Sequence, residues 1–348
     1  MAISRDKLLI GGVVVLGALT FLVYKQAQKD DALGKPTVTE ADFPTISAPE
    51  DIDKVSITNG DKPEVVLQKV ADPSAPATDA GAATKWEVVK PVQADANQMV
   101  AKDLVTNLHD LKIDSKINLT LDDAIRKDKQ LDPAHAVHVV AWKGADKKVD
   151  EYFGKSGTAG QMVTVADKPD AVWAAKGYSS YLYTKEAKDF RNKDVLKFDD
   201  LNATEATIVN SHGTFVFAKG GDKWTAMFDK KPLPRFDETK VKDMLRAYKG
   251  LSADDFGDGK TVAETGLDKP YATVSIALKD APAPVVLQVG KVSTGTDRWA
   301  KKGDSDAIYQ LASSTADWAT SDATKYQTTG DGGAPAATKP KPKTASKK

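Results

Sequence analysis

The 348-residue chain contains no cysteine. That absence excludes disulfides, cysteine-ligated zinc, a thiolate nucleophile and the acylated cysteine of a lipoprotein. There is no excess of charge either. The 49 Lys and Arg are matched by 49 Asp and Glu, so no global field draws the chain toward nucleic acid. Catalytic signatures are equally sparse: no Gly-x-Ser-x-Gly elbow occurs, and no motif groups a Ser-His-Asp set. Carboxylates are abundant, yet the sequence gives none of them a context that raises its pKa, so a glycosidase pair is unsupported. Long apolar runs are missing with one exception, the uncharged LLIGGVVVLGALTFLVY from Leu8 to Tyr24.

That run sits at the short end of what spans a hydrocarbon core of about 30 Å and reads as a transmembrane anchor. A buried core helix would show a polar face, and this one shows none. Arg5 and Lys7 precede it; Lys25 and Lys29 follow, diluted by Asp30 and Asp31, so the charge bias toward a cytoplasmic N-terminus is small. A cleaved signal peptide is the alternative, but Phe21 to Gln26 offers no small-x-small cleavage site. Both readings export the body. The expected layout is a short cytoplasmic N-terminus at 1–7, an anchor in the lipid bilayer at 8–24 and a polar tether at 25–50 with Pro36, Pro44 and Pro49. The expected place is the inner (cytoplasmic) membrane, single-pass, with the bulk of the chain extracytoplasmic. Residues 328–348 form a Lys/Pro/Ala tail with nothing to bury, expected to be disordered.

Between tether and tail the chain is written twice, as units 51–198 and 199–327. Each copy opens on two alternating strands around a Gly-containing turn: Asp51–Gly60 with Glu64–Val70, and Leu201–Gly213 with Thr214–Gly220. A third strand follows, carrying a lone tryptophan, Trp86 or Trp224. An amphipathic helix comes next. In the first copy its stripe is Met99, Val100, Leu104, Val105, Leu108 and Leu111 behind Asp95; in the second it is Val241, Met244, Leu245, Tyr248 and Leu251 behind Asp237-Glu238. Strands return at Leu131–Trp142 and Lys147–Lys155, matched by Gly266–Leu278 and Pro284–Lys291. VWAAKG at Val172 then aligns with RWAKKG at Arg298, and YLYT at Tyr181 with AIYQL at Ala307. The copies close on short polar helices carrying Phe190 and Trp318. The fold class expected is α+β: two tandem similar units, each a mainly antiparallel sheet covered by an amphipathic helix, plus the N-terminal transmembrane helix.

The Lys-Trp strand, the helix, the turn Thr265-Gly266-Leu267-Asp268-Lys269-Pro270 and the VVLQVGK strand together resemble the bacterial family called domain of unknown function 4340. The first copy keeps only Leu131-Asp132-Pro133 of that turn. The resemblance implies a membrane-anchored repeated unit without established catalytic residues. It further implies an extracytoplasmic partner of an ABC-type export system related to gliding-motility auxiliary proteins. The turn itself has a structural reason: Gly266 takes a positive φ, Asp268 caps the backbone and Pro270 forces Lys269 to be extended.

Other candidates for chemistry fail on spacing. His135 and His138 lie in an alternating segment, where residues three apart project from opposite faces. His109 falls on the first helix and His212 in a turn, so no metal site is expected. Gly154-Lys155-Ser156 lacks the upstream glycine of a phosphate loop, since position 149 is Val149. Asp254 to Gly259 has the acidity of a calcium loop, but Phe256 occupies the third position and Thr265 the twelfth, where a carboxylate is required. Trp86 and Trp224 read as repeated core anchors rather than sugar platforms. The expected function is non-catalytic binding or scaffolding in the bacterial envelope, as an accessory subunit of an ABC-type export system, with no cofactor. The alternative is a wall- or polysaccharide-binding protein using Trp142, Trp173 and Trp299. An envelope hydrolase has no residues to nominate.

Overall fold

The computed structural model describes residues 43, 45–74, 83–117, 119–303 and 305–328. The expected anchor at 8–24, most of the tether and the tail from 329 onward lie outside the described residues. Among the described residues, no helix is long and apolar enough to cross a membrane. The chain divides into two compact units, Met1–Asn192 and Lys193–Lys348.

Unit 1 comprises strands β1 (Lys54–Asn59), β2 (Val65–Ala71), β3 (Thr84–Lys90) and β4 (Ala94–Asp95), then helix α1 (Gln98–Asp110). It continues through β5 (Lys112–Ile117), α2 (Asp123–Asp128), β6 (Val137–Lys143), β7 (Asp146–Gly157), β8 (Gly160–Val165), β9 (Lys168–Lys176) and α3 (Ser180–Tyr183). Its nine strands form one antiparallel sheet in the order β4-β3-β2-β1-β6-β7-β8-β9-β5.

Unit 2 repeats the series with β10 (Ala203–Asn210), β11 (Gly213–Gly220), β12 (Lys223–Phe228), β13 (Lys231–Pro232) and α4 (Glu238–Tyr248). Then come β14 (Asp255–Phe256), α5 (Val262–Thr265), β15 (Ala272–Leu278), β16 (Val285–Val292), β17 (Arg298–Lys302), β18 (Tyr309–Leu311) and α6 (Ser313–Thr320). Its order is β13-β12-β11-β10-β15-β16-β17-β18-β14. Subtracting nine from each label gives the order of unit 1. Two sheets with the same non-sequential order are what a tandem duplication produces.

The helices follow the sequence pattern with local corrections. In α1 the buried stripe is Ala101, Leu104, Val105 and Leu108, spaced to lie on one face. Met99 is 72% exposed, off that stripe. Asp95 belongs to β4, and the cap is Asn97, whose side chain accepts from the N–H groups of Met99 and Val100. In α4 the cap is Asp237 and the buried residues are Val241, Met244, Leu245 and Tyr248, as the pattern predicts.

Equivalent bonds fasten each helix to its sheet. Gln98 Oε1 accepts the Trp86 N–H at 2.8 Å, and Glu238 Oε2 accepts the Trp224 N–H at 3.2 Å. The N–H groups of Asn97 and Asp237 donate to the carbonyls of Phe190 and Tyr326. Phe190 therefore corresponds to Tyr326, not to Trp318. Likewise RWAKK forms β17, the counterpart of β8, whereas VWAAK lies in β9; the expected match between Trp173 and Trp299 does not hold. YLYT forms α3, a helix, and AIYQL contributes strand β18.

Two boundaries also move. Phe43 and Ile46, expected in the tether, are buried in the core of unit 1, Phe43 edge-on to Trp173 at 6.3 Å. Val195 and Leu196, placed by the repeat in the first unit, pack in the core of the second. In each case a pair of large apolar side chains found a core that composition alone does not assign.

The Leu-Asp turn shows how far the copies have diverged. Gly266 caps α5 at φ 70°, and the next N–H, of Leu267, bonds back to Val262 O at 2.8 Å. In unit 1 the same place is taken by Gln130 at φ 56°, with the Leu131 N–H on Arg126 O at 2.8 Å. A left-handed non-glycine residue costs about 1–2 kcal/mol. Gln130→Gly is therefore expected to stabilise unit 1 by about 1 kcal/mol, and Gly266→Ala to destabilise unit 2 by a similar amount. Denaturant unfolding of the full chain, followed by a probe in each unit, measures both.

Candidate functional site

Side chains alternate across a strand, so β7 sends Val149, Glu151 and Phe153 into the core of unit 1 and Asp150 and Tyr152 to the outer face. His138 on β6 pairs with Tyr152 in register, and the two rings stack at 4.0 Å with planes 2° apart. His138 Nε2 lies 2.7 Å from Asp150 Oδ1, and Lys147 Nζ lies 2.6 Å from Asp150 Oδ2. Partial burial pushes the Asp150 carboxyl up, but the bonds from His138 and Lys147 outweigh it and hold the group below its usual range.

Beside this array is a cavity of about 290 Å³ lined by Arg126, Leu131, Pro133, Tyr152, Thr164 and Pro169. Segment 126–133 forms one wall. Arg126 Nη2 donates to Pro169 O and to Asp170 Oδ1, both at 2.9 Å, which fixes the guanidinium at the rim. The site thus combines an oriented imidazole, a phenol, a guanidinium and two proline rings. A His–Asp pair of this kind orients an imidazole nitrogen, and the stacked phenol offers a flat polar surface. The cavity is slightly below the size typical of small-molecule sites.

Unit 2 does not repeat it. Register places Thr273, Val286 and Gln288 where unit 1 has His138, Asp150 and Tyr152. Unit 2 has its own indentations instead. One of about 460 Å³ is lined by Asp194, Leu196, Lys197, Phe198 and Lys249. A neighbouring one of about 220 Å³ has Trp224 among its walls with Lys219, Lys242 and Arg246. Asp200 lines both and pairs with Lys249 at 3.1 Å.

The sequence candidates scatter. His135 sits in the turn before β6, not on the strand, and bonds Asp132 at 2.8 Å, so the two neighbouring histidines hold different aspartates. His109 contacts Asp110, and His212 lies in the turn between β10 and β11. Among the described residues, no group of three His, Cys, Asp or Glu is arranged to hold a metal ion. Asp255 and Phe256 form β14, an edge strand paired with β18, rather than a cation loop.

Gly154 and Gly290 share a packing reason: a Cβ at either would collide with a backbone carbonyl, of Lys129 or Thr265, and with Leu131 or Leu267. Trp86 and Trp224 are buried, as core anchors require. Trp173 is only 2% exposed, which removes it from any sugar-binding surface; Trp142 and Trp299 are half-buried.

One carboxylate overturns the expectation drawn from the sequence. Glu151 is buried, and burial followed by the nearby charge of Asp150 pushes its carboxyl up to about 8. Its apolar strand neighbours Val139 and Val165 come from β6 and β8, and the alternation of Val149, Glu151 and Phe153 along β7 is the local signal that places it inward.

Two antiparallel sheets of identical order, each with a helix packed in its core, make this a tandem α+β repeat protein. The chain belongs to the family described as domain of unknown function (DUF4340), whose model matches residues 86–270. No curated protein and no solved structure matches it.

Asp150 contributes stability above its ordinary pKa of 3.8 that is lost as pH falls through the lower folded value. Asp150→Asn is expected to cost about 1 kcal/mol at pH 7, the scale of a partly exposed ion pair. The cost should shrink progressively as pH falls below 3.8, which denaturation of both variants across that range will show.

Proposed function

We propose that this chain is a non-catalytic binding or scaffold protein of the bacterial envelope, held at the inner membrane by residues 8–24. Its partners on this reading are membrane proteins, foremost the subunits of an ABC-type export system. The observation that carries the reading is how the two copies divide their polar residues. Those that recur do the same structural work twice: Asn97 and Asp237 cap helices, and Gln98 and Glu238 bind the tryptophan strand. A cluster that differs lies on an outer face, His138, Asp150 and Tyr152 against Thr273, Val286 and Gln288. Duplication with a preserved framework and divergent faces suits a protein that presents two different surfaces. The uncharged run at Leu8–Tyr24 supports the membrane address.

Crosslinking in intact membranes through the C-terminal tail, followed by pull-down and mass spectrometry, tests this. The expected result is recovery of an ABC ATPase and permease, with recovery lost when residues 1–24 are deleted. Recovery of wall polymer in their place, weakened by Trp299→Ala, would overturn the reading in favour of polysaccharide binding.

A further inference from the structure

Glu151 is 1% exposed, and its Oε2 has no hydrogen-bond partner. The matching position on β16 is Leu287, equally buried, since each lies three residues before the tight glycine, Gly154 or Gly290. Unit 1 therefore holds a carboxyl where its twin holds a leucine. An orphaned buried polar group is costly and calls for a reason. Burial keeps this one neutral at pH 7.

Segment 177–183 packs on the core near it. Tyr178 stacks on Phe153 at 4.4 Å and on Tyr183 at 4.8 Å, and the charge of Glu151 acts on both phenols. The segment leaves β9 at Gly177, φ 85°, a conformation that favours glycine. One side chain of α1 ties it down. Asn107 Nδ2 donates to Gly177 O at 2.7 Å, and Asn107 Oδ1 accepts from the Ser179 N–H at 3.1 Å and the Tyr183 hydroxyl at 3.0 Å. Counting from Gln98 and Glu238, the unit 2 counterpart of Asn107 is Ala247. The orphan carboxyl and the latch thus occur together, in one copy only. Tyr178 is part-buried and Tyr181 is 59% exposed, so here the core of unit 1 meets water.

We propose that segment 177–183 is a proton-operated lid on unit 1, shut while Glu151 is neutral and released when Glu151 ionises. A carboxylate without a partner cannot remain in an apolar core, and opening the lid gives it water. The titratable groups that act on it are few. Tyr178 and Tyr183 face it from the lid, and Asp150 lies on its own strand but on the opposite face, already tied to His138 and Lys147. The flanking strands present Val139 and Val165, and the buried face of α1 presents Ala101, Leu104, Val105 and Leu108.

The sign follows from linkage. The closed state keeps the proton up to about pH 8, and the open state releases it near the ordinary value of 4.5. Closure is therefore fully favoured below 4.5, and opening grows about tenfold per pH unit up to about 8, where it levels off.

Hydrogen exchange on the full chain from pH 5.5 to 8.5, corrected for intrinsic rates, reads this at the amides of Ser179, Leu182 and Thr184. Their protection should fall about tenfold per pH unit up to about pH 8 and lie well below that of the β6 and β7 core amides, whose exchange through unfolding carries the same linkage, while the Ser321 amide of unit 2 stays level. Glu151→Gln should flatten the profile. Asn107→Ala should lower protection at every pH and leave the slope intact. A flat wild-type profile, an unchanged slope in Glu151→Gln, or lid amides no less protected than those of β6 and β7 would overturn the lid; the wild-type and Asn107→Ala profiles decide the matter even if Glu151→Gln fails to fold.

Discussion

The unit is governed by a reach constraint on its central helix. Strands β4 and β5 lie on opposite edges of a nine-stranded sheet, yet α1 is almost all that joins them. Eight strand spacings in a flat sheet amount to about 38 Å. The helix Gln98–Asp110 rises about 18 Å, and the extended steps from Asp95 to Gln98 and from Asp110 to Lys112 bring the reach to about 36 Å at most, with every step stretched in line. A flat sheet would leave the edges too far apart, so the sheet must curl around the helix. That is why Trp86 near one edge and Trp173 near the other share one core with Leu104 and Leu108. Capping and latching bonds at the helix start, from Asn97 and Gln98, then set where the helix sits.

The second copy obeys the same topology with longer connectors, 233–237 and 249–254, and so tolerates a shorter helix. What survives in both copies is the set of contacts that the crossing requires: the N-cap, the bond to the tryptophan strand, the bridge two residues before the helix and the glycine under the Leu-Asp turn. What varies is everything the crossing leaves free. The outer face of unit 1 carries His138, Asp150 and Tyr152 beside a cavity, its core carries Glu151, and half-buried Asn107 lies on α1. Neither set has a counterpart in unit 2. Divergence at constant topology is where separate roles for the copies would arise, and it supports a reading based on surfaces rather than on one shared active centre.

Much of this was legible in the chain. Alternation of apolar residues marked β1, β2, β10 and β11, and the stripe from Val241 to Tyr248 marked α4 with its Asp237 cap. The repeat itself was legible because order persists when loops change. The errors lie where similar words serve different strands. VWAAK and RWAKK look alike, but their partners put one in β9 and the other in β17. Asp95 looked like a helix start because acidic residues favour that position, yet it pairs with Glu87 in the sheet and leaves the cap to Asn97. Of the candidate site, the sequence offered His138 only as half of a pair with His135; its true partners, Asp150 and Tyr152, sit across a strand pairing.

The sequence by itself determined the absence of thiol chemistry, the duplication and the strand-helix-strand order of each copy. Those properties depend on composition and on periodicity within short windows, which local physics reads directly. Only the tertiary structure decided which strands became neighbours, that Phe43 and Ile46 enter a core, that Trp173 is hidden, and that Glu151 is buried with Tyr178 and Tyr183 close by. Strand pairing and the neighbours of a buried group are set by residues far apart in the chain, brought together when the sheet closes around its helix, and no local pattern carries that information.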